Sequence, residues 1–235
     1  MSGKPNSLSV RNSIFIFVIR RIQIQMGTVN ILLVDDEALL REGLRSLLKT
    51  ETFVRNIYEA GNAEEFKKAV ETLHIDIILL DIRLGGSSGL ELLSAINKKN
   101  INVKVIAVTG LEGVELVINL LKAGVQGVVF KLDGYGEILK SIRAIMDANS
   151  YFSDKIVRII QNNASRWDNV PPVTLSNLES EMLKCIAHGL TTKAIAGEMK
   201  MTEPTAETYR IRLIKKLGVT NTAALLAYAY RNGIL

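Results

Sequence analysis

The sequence is short of several residue types, and each shortage excludes something. Among 235 residues there is one cysteine, Cys185. No internal disulfide can form, and nothing requires an oxidising compartment. Four prolines and 6% aromatic residues exclude a proline-rich scaffold, a collagen-like chain and an aromatic-bladed propeller. Apolar runs are short. Ile14–Ile19 spans six residues, far below the ~20 that a membrane-crossing helix needs. The two histidines fall at ordinary polar positions, His74 in a loop and His188 near a helix end. The composition therefore places the protein in the cytoplasm, with no membrane partner.

What is present is globular: 48% hydrophobic and 23% charged, outside the disordered range. The length suits one large domain or two small ones. Charge divides the chain. Residues 29–149 carry 14 basic and 17 acidic groups, whereas residues 170–235 carry eight and five. An acidic body joined to a basic small module implies different partners, and the basic module favours polyanions such as nucleic acid.

Residues 29–149 alternate strand and helix. Apolar runs at Val29–Val34, Ile75–Leu80, Val103–Val108 and Gly127–Phe130, with a weaker one at Val54–Ala60, read as buried parallel strands. Amphipathic segments near 38–49, 62–73, 89–98, 112–123 and 135–148 separate or follow them. Five such units predict a doubly wound α/β domain with a five-stranded parallel sheet. Residues 150–173 break the pattern. They contain a short helix at Asp154–Gln161 with Ser153 as its cap, then Asn162-Asn163, Asp168-Asn169 and Pro171-Pro172, and read as a linker. Beyond it strand signals vanish. Helices are expected at about 177–188, 192–199, 203–217 and 221–232, stopped by Gly189, the Lys200–Thr202 turn, Gly218 and Gly233. Residues 174–235 thus form a small all-α domain. Residues 1–28 fit neither domain. They are flanked wrongly for a secretory signal and read as a tail, with Met26 a candidate start.

Ligands of doubly wound sheets sit at the carboxyl ends of the strands. The first strand ends in Asp35-Asp36-Glu37, the third in Asp81, the fourth in Thr109 and the fifth in Lys131. The fold gathers carboxylates, a hydroxyl and an ammonium on one edge. Packed carboxylates repel, and a hard divalent cation relieves them. Asp35, Asp36 and Asp81, with a backbone carbonyl just past Asp81 at Arg83, suit the oxygen ligands of Mg²⁺. A carboxylate is also a competent nucleophile toward phosphorus, and Lys131 would neutralise the transferring oxygens.

The segments I-L-L-V-D-D-E, I-I-L-L-D-I-R-L-G-G-S-S-G-L-E-L, V-I-A-V-T-G and G-V-V-F-K resemble the receiver domain of two-component response regulators, over residues 29–149. The resemblance implies a flavodoxin-like fold and phosphorylation of Asp81 by a partner histidine kinase. It implies Mg²⁺ on Asp35 and Asp36, and switch roles for Thr109 and Lys131. It implies no enzyme beyond a receiver's own phosphorylation and dephosphorylation. Two positions depart from the pattern. Val128 stands three before the lysine where an aromatic is usual, with Phe130 and Tyr135 nearby. Gly85 stands where proline is frequent, which predicts a looser loop.

Residues 174–233 resemble the LuxR-type helix-turn-helix of NarL/FixJ regulators, on T-L-S-N-L-E-S-E-M-L-K-C-I-A-H-G-L-T-T-K-A-I-A and T-E-P-T-A-E-T-Y-R-I-R-L-I-K-K-L-G-V. Ser176 and Glu179 make a capping box, and Cys185 is a packing residue. On the recognition helix, about 203–217, Ala206, Leu213 and Leu217 share one face. Glu207, Thr208, Ile211, Arg212 and Lys215 share the other, which would enter the major groove. Lys193, Arg210, Lys215 and Lys216 are candidate phosphate contacts. Thr208 and Ile211 suit thymine methyls, and Arg212 a guanine. Glu207 stands where a lysine is usual; Leu178, Ala194 and Thr222 replace family Arg, Glu and Arg.

Together these observations predict a phosphorylation-controlled, DNA-binding transcription regulator that acts as a homodimer on double-stranded DNA. Ala224, Leu225, Tyr228 and Ala229 of the last helix are a candidate pairing surface, part of which must pack inward. Two alternatives stay open. One is a receiver whose degenerate helix-turn-helix binds protein, which predicts no salt-dependent DNA binding. The other is a Mg²⁺-dependent phosphohydrolase, which usually wants an aspartate two residues past the nucleophile, where Arg83 stands.

Overall fold

The computed structural model describes residues 27–85, 87–99, 101–110, 113–148, 150–167 and 173–235. The expectations for residues 1–26 lie outside the described residues. Strands β1 (Val29–Val34), β2 (Val54–Ala60), β3 (Ile77–Asp81), β4 (Lys104–Thr109) and β5 (Gly127–Phe130) form one sheet of order β2-β1-β3-β4-β5. Every pairing is parallel. The order reverses between β1 and β3, the switch point where such sheets bind ligands. Helices α1 (Ala38–Leu48), α2 (Ala63–Thr72), α3 (Gly89–Lys98), α4 (Val114–Lys122) and α5 (Gly134–Ala148) cover both faces. With both faces covered, the strands need unbroken apolar runs, and all of β3 is buried.

Successive side chains take opposite faces. Leu32, Val34, Ile78, Leu80 and Ala107 pack with Phe66, Leu93 and Leu121 of α2, α3 and α4. Ile31, Leu33, Ile77, Leu79 and Ile106 pack with Leu44 and Leu48 of α1 and with Ile138, Ile142 and Ile145 of α5.

The expected linker is more structured than its composition suggests. Helix α6 (Asp154–Asn162) buries Ile156 and Ile160, and the turn Ala164–Arg166 leads to buried Trp167. Ser153 occupies the N-cap position of α6 without a side-chain cap bond. Four helices follow: α7 (Asn177–Ala187), α8 (Thr192–Glu198), α9 (Glu203–Lys216) and α10 (Thr222–Arg231). Ser176 and Glu179 close the expected capping box of α7. The stops at Gly189, Gly218 and Gly233 have positive φ, as does Lys200 in the turn before α9.

Helix α10 has two buried faces. Leu225, Tyr228 and Ala229 join Met182, Leu183, Ala206 and Leu213 in the core of the helical domain. Ala223, Ala224, Leu226 and Ala227 instead join the layer that holds α4, α6 and Trp167. All four residues expected as a pairing surface are buried within the chain. The reason is that α4 and the linker cover one side of α10 while its own domain covers the other.

Candidate functional site

The β1 and β3 ends carry the acids because a strand tip leaves its last side chains at the sheet edge. Asp35 and Asp81 are each only 5% exposed, whereas Asp36 is exposed. One carboxylate oxygen from each of the three lies within 4.8 Å of the others. Lys131 follows β5 and reaches across. Its Nζ lies 2.7 Å from Asp81 Oδ2, 2.9 Å from Asp35 Oδ2 and 3.0 Å from Glu37 Oε1. Backbone groups hold the buried acids from below. Glu37 N–H donates to Asp35 Oδ1 at 2.8 Å, and Arg83 N–H donates to Asp81 Oδ1 at 3.0 Å. The role of Glu37 as a third partner of Lys131 was missed in the sequence, although the D-D-E run contained it.

One ammonium thus serves three carboxylates. Burial pushes the Asp35 carboxyl above its ordinary value, against the pull of Lys131 and of Glu37 N–H; the Asp81 charge adds to the rise. Burial works to lower Lys131, but its hydrogen bonds to Asp81, Asp35 and Glu37 more than offset it and hold the ammonium well above its ordinary value. The donor set is all oxygen and rich in negative charge, which fits a hard divalent cation such as Mg²⁺.

Above the acids lies an open cleft of about 750 Å³, lined among others by Asp36, Asp81, Arg83, Gly85, Gly110 and Lys131. Thr109 is fully buried at the end of β4, next to Gly110. The β3–α3 loop folds as two short antiparallel arms, Arg83–Leu84 and Ser87–Ser88. Gly89 permits this. An added Cβ there would stand 2.7 Å from the Asp81 carbonyl oxygen and 2.8 Å from Ile82 Cα. Gly85, where the sequence predicts a looser loop, lies within reach of the acids. Its N–H donates to Asp36 Oδ2 at 2.8 Å and ties the loop to the acids. Val128 is buried in the α2–α4 layer. Of its aromatic neighbours, Phe130 is buried with Lys155 Nζ 4.1 Å from its ring centroid. The Tyr135 hydroxyl donates to Glu51.

At the other end of the sheet stands the helical domain. On α9 and its C-cap, Ala206, Leu213 and Leu217 are buried as expected, and Ile211 is 57% exposed. Lys193, Thr208, Arg212 and Lys215 are also exposed. Lys216 is paired with Glu179 at 2.7 Å. Arg210 departs from expectation. It is 8% exposed, and its Nε lies 3.8 Å from Glu207 Oε2. Glu207 also accepts from Thr192 Oγ1 at 3.2 Å. Glu207 thus braces α8 to α9, whereas Arg210 is buried beside Glu207 on the same helix and close to Lys104 of the sheet domain, withdrawn from a phosphate in this arrangement.

Lys193 and Glu203 face Asp76, Lys104 and Asp147 of the sheet domain across a cleft of about 730 Å³. Lys104 donates to the Ile145 carbonyl at 2.7 Å. Burial lowers its pKa and the nearby Arg210 charge lowers it further, while Glu207 opposes both.

Comparison with known proteins meets this geometry at both ends. Residues 31–143 match the family described as response regulator receiver domain. Residues 173–229 match that of bacterial regulatory proteins, luxR family. The chain belongs to the response regulators. Among its relatives is the nitrate/nitrite response regulator protein NarP of Escherichia coli, 28% identical over 86% of this chain and 95% of that protein. The virulence factors putative positive transcription regulator BvgA of Bordetella pertussis is 28% identical over 87% and 98%. A solved complex of the response regulator RcsB with DNA shares the fold, with a TM-score of 0.55 at 21% identity, over 89% of this chain and all of that one. RcsB of Salmonella enterica serovar Typhimurium bound to the promoter P1flhDC likewise aligns at 0.55, with 22% identity over 87% and 98%. A receiver followed by a luxR-family helix-turn-helix is the make-up of a two-component transcription regulator.

Proposed function

We propose that this response regulator takes a phosphoryl group onto Asp81 from a partner histidine kinase, and that the modification governs binding of two copies to double-stranded DNA through α9. The boundaries that fit this reading are 29–149 for the receiver, 150–173 for the linker and 174–235 for the DNA-binding domain. The observation that carries it is the setting of Asp81: a buried carboxylate at the cleft floor, 2.7 Å from Lys131, with Asp35 and Asp36 beside it. An Asp81 oxygen attacks the phosphorus, the bond from phosphorus to the donor's histidine nitrogen breaks, and an acyl phosphate forms as the imidazole leaves. Lys131 balances charge on the transferring oxygens. Asp35, Asp36, Asp81 and the Arg83 carbonyl are the groups to hold Mg²⁺, which when bound neutralises phosphoryl charge. Thr109, buried at the end of β4 beside Gly110 of the cleft, is the candidate hydroxyl to hydrogen-bond the acyl phosphate once formed. Beyond this self-modification no enzyme activity is assigned. The setting is cytoplasmic, and no described helix is long and apolar enough to cross a membrane.

The arrangement of the domains is a closed one. A recognition helix enters a groove about 12 Å wide, whose phosphate walls pass on both sides of it. Asp76 and Asp147 line the cleft beside Lys193 and Glu203 and would repel such a wall. On this reading DNA engagement through Lys193, Thr208, Ile211, Arg212, Lys215 and Lys216 goes with the helical domain swinging away, which parts Arg210 and Glu207 from Lys104 and uncovers the receiver-facing side of α10. Incubation with acetyl phosphate and Mg²⁺ is expected to add one phosphate. Equal labelling of Asp81→Ala and the parent would overturn the assignment.

A further inference from the structure

Each acid at the cleft is held differently. Asp35 and Asp81 are buried, share Lys131 and accept the N–H groups of Glu37 and Arg83. Asp36 is exposed and has no ion pair to Lys131 among the described residues. Its one hydrogen bond among the described residues comes from Gly85 N–H, 2.8 Å from Oδ2. An exposed aspartate samples several rotamers, and fixing it costs side-chain entropy. A backbone donor on its carboxylate fixes it in advance. Gly85 sits 49 residues away in sequence, between the arms Arg83–Leu84 and Ser87–Ser88. Asp81 Oδ1 in turn accepts the N–H of Arg83. The loop is therefore anchored to acids of the site at its first arm and at its tip. A proline at position 85 would have no N–H to give.

We infer that Gly85 is a positioning residue: its amide N–H presets the Asp36 carboxylate toward Asp35 and Asp81, so that a divalent cation meets three aligned oxygens. The inference rests on the Asp35-Asp36-Asp81 cation site proposed above. One oxygen of Asp36 is occupied by the amide, and the other remains for the cation. The hydrogen bond is charge-assisted and solvent-facing, so its loss weakens cation binding about three- to tenfold.

The test is Mg²⁺ titration of the full chain by calorimetry, without phosphodonor, on the parent, Gly85→Pro, Gly85→Ala and Asp36→Ala. Alanine keeps the N–H. Its Cβ would stand 3.0 Å from Asp36 Oδ2, the free end of an exposed side chain, which can yield by a few tenths of an ångström. Gly85 is not among the glycines with positive φ, so alanine meets no backbone strain. The expected result is weaker binding in Gly85→Pro and near-parent binding in Gly85→Ala. In the Asp36→Ala background, Gly85→Pro should cost nothing more. Equal affinity of Gly85→Pro and the parent would overturn the inference. So would equal weakening by proline and alanine, which would mean that loop shape and not the N–H matters. A parent that binds no Mg²⁺ would instead overturn the cation site itself. If melting curves show that proline unfolds the chain, glycolic acid at position 85 makes the same comparison. Its ester keeps the backbone shape and puts an oxygen, which cannot donate, in place of the N–H.

Discussion

Leu226→Ala should open the molecule and strengthen DNA binding. Leu226 is 2% exposed and packs with the layer holding α4, α6 and Trp167, while Leu225 beside it packs into the helix-turn-helix core. Removing Leu226 therefore weakens the joint between domains and leaves the DNA-binding core intact. Buried Leu→Ala changes cost about 2–5 kcal/mol. The low end suits a joint that can partly collapse. About 2 kcal/mol shifts the closed-to-open ratio roughly 30-fold. Apparent DNA affinity of the unphosphorylated chain rises by up to that factor, and less if the open form comes to dominate. Two assays read this. One is binding to a duplex selected from a random pool. The other is emission from Trp167, the single tryptophan, which is 8% exposed with Lys122 Nζ 5.9 Å from its ring centroid. Opening should shift the emission to the red. Leu225→Ala is the contrast, since it should lower binding by disturbing the core. The reasoning is refuted if Leu226→Ala melts earlier yet keeps the parent's emission and affinity.

Three further outcomes are expected. Glu207→Lys should raise affinity for non-specific DNA most at low salt, steepening the log–log salt slope by about 0.9. It should also lower the melting temperature slightly through loss of the Thr192 and Arg210 contacts; loss of the selected site with non-specific binding retained would show instead that Glu207 reads sequence. Lys131→Ala should slow labelling by acetyl phosphate about a hundredfold or more, because the transferring oxygens lose their cation, and a parent-like rate would remove Lys131 from the mechanism. A chain starting at Met26 should keep the parent's melting temperature and labelling, and a large drop in either would assign residues 1–26 a packing role.

The receiver fold was legible because both of its signals are local. Apolar runs of strand length mark the buried strands, and the residue after each run falls on the sheet edge. Asp35, Asp81 and Lys131 could be placed at one point from the strand ends alone. The helix bounds near α7–α10 were legible for the same reason, since Gly189, Gly218 and Gly233 stop helices by backbone chemistry. What was hidden is contact between segments far apart in sequence. Ala224 and Leu225 are adjacent and both apolar, yet one faces the receiver side and the other its own domain. Periodicity shows that a helix has an apolar stripe, not what covers it. Arg210 was misplaced for the same reason. Its position on the helix wheel suits a phosphate contact, but it is buried beside Glu207 and close to Lys104, which lies more than a hundred residues earlier in the sequence.

The departures from the family pattern gain meaning from where they fall. Read one at a time along the chain, Gly85, Val128 and Glu207 look like losses: a looser loop, a missing aromatic, a missing cation. Two of the three carry contacts that the usual residue would not make. Gly85 has the N–H that proline lacks and gives it to Asp36. Glu207 accepts from Thr192 and pairs with Arg210, which a lysine would repel. Val128 is different, being a plain core residue with no contact to the surface. If Asp81 takes the phosphoryl group as proposed, a signal from it finds no aromatic rotor at position 128. The route the packing offers runs from Phe130, next to Lys131, through Lys155 on its ring to α6, and from α6 through Ile156 and Ile160 to the face of α10 that holds the domains together. On the reading proposed above, a change at the acids that moves Lys131 would reach the joint that Leu226 closes through this packing.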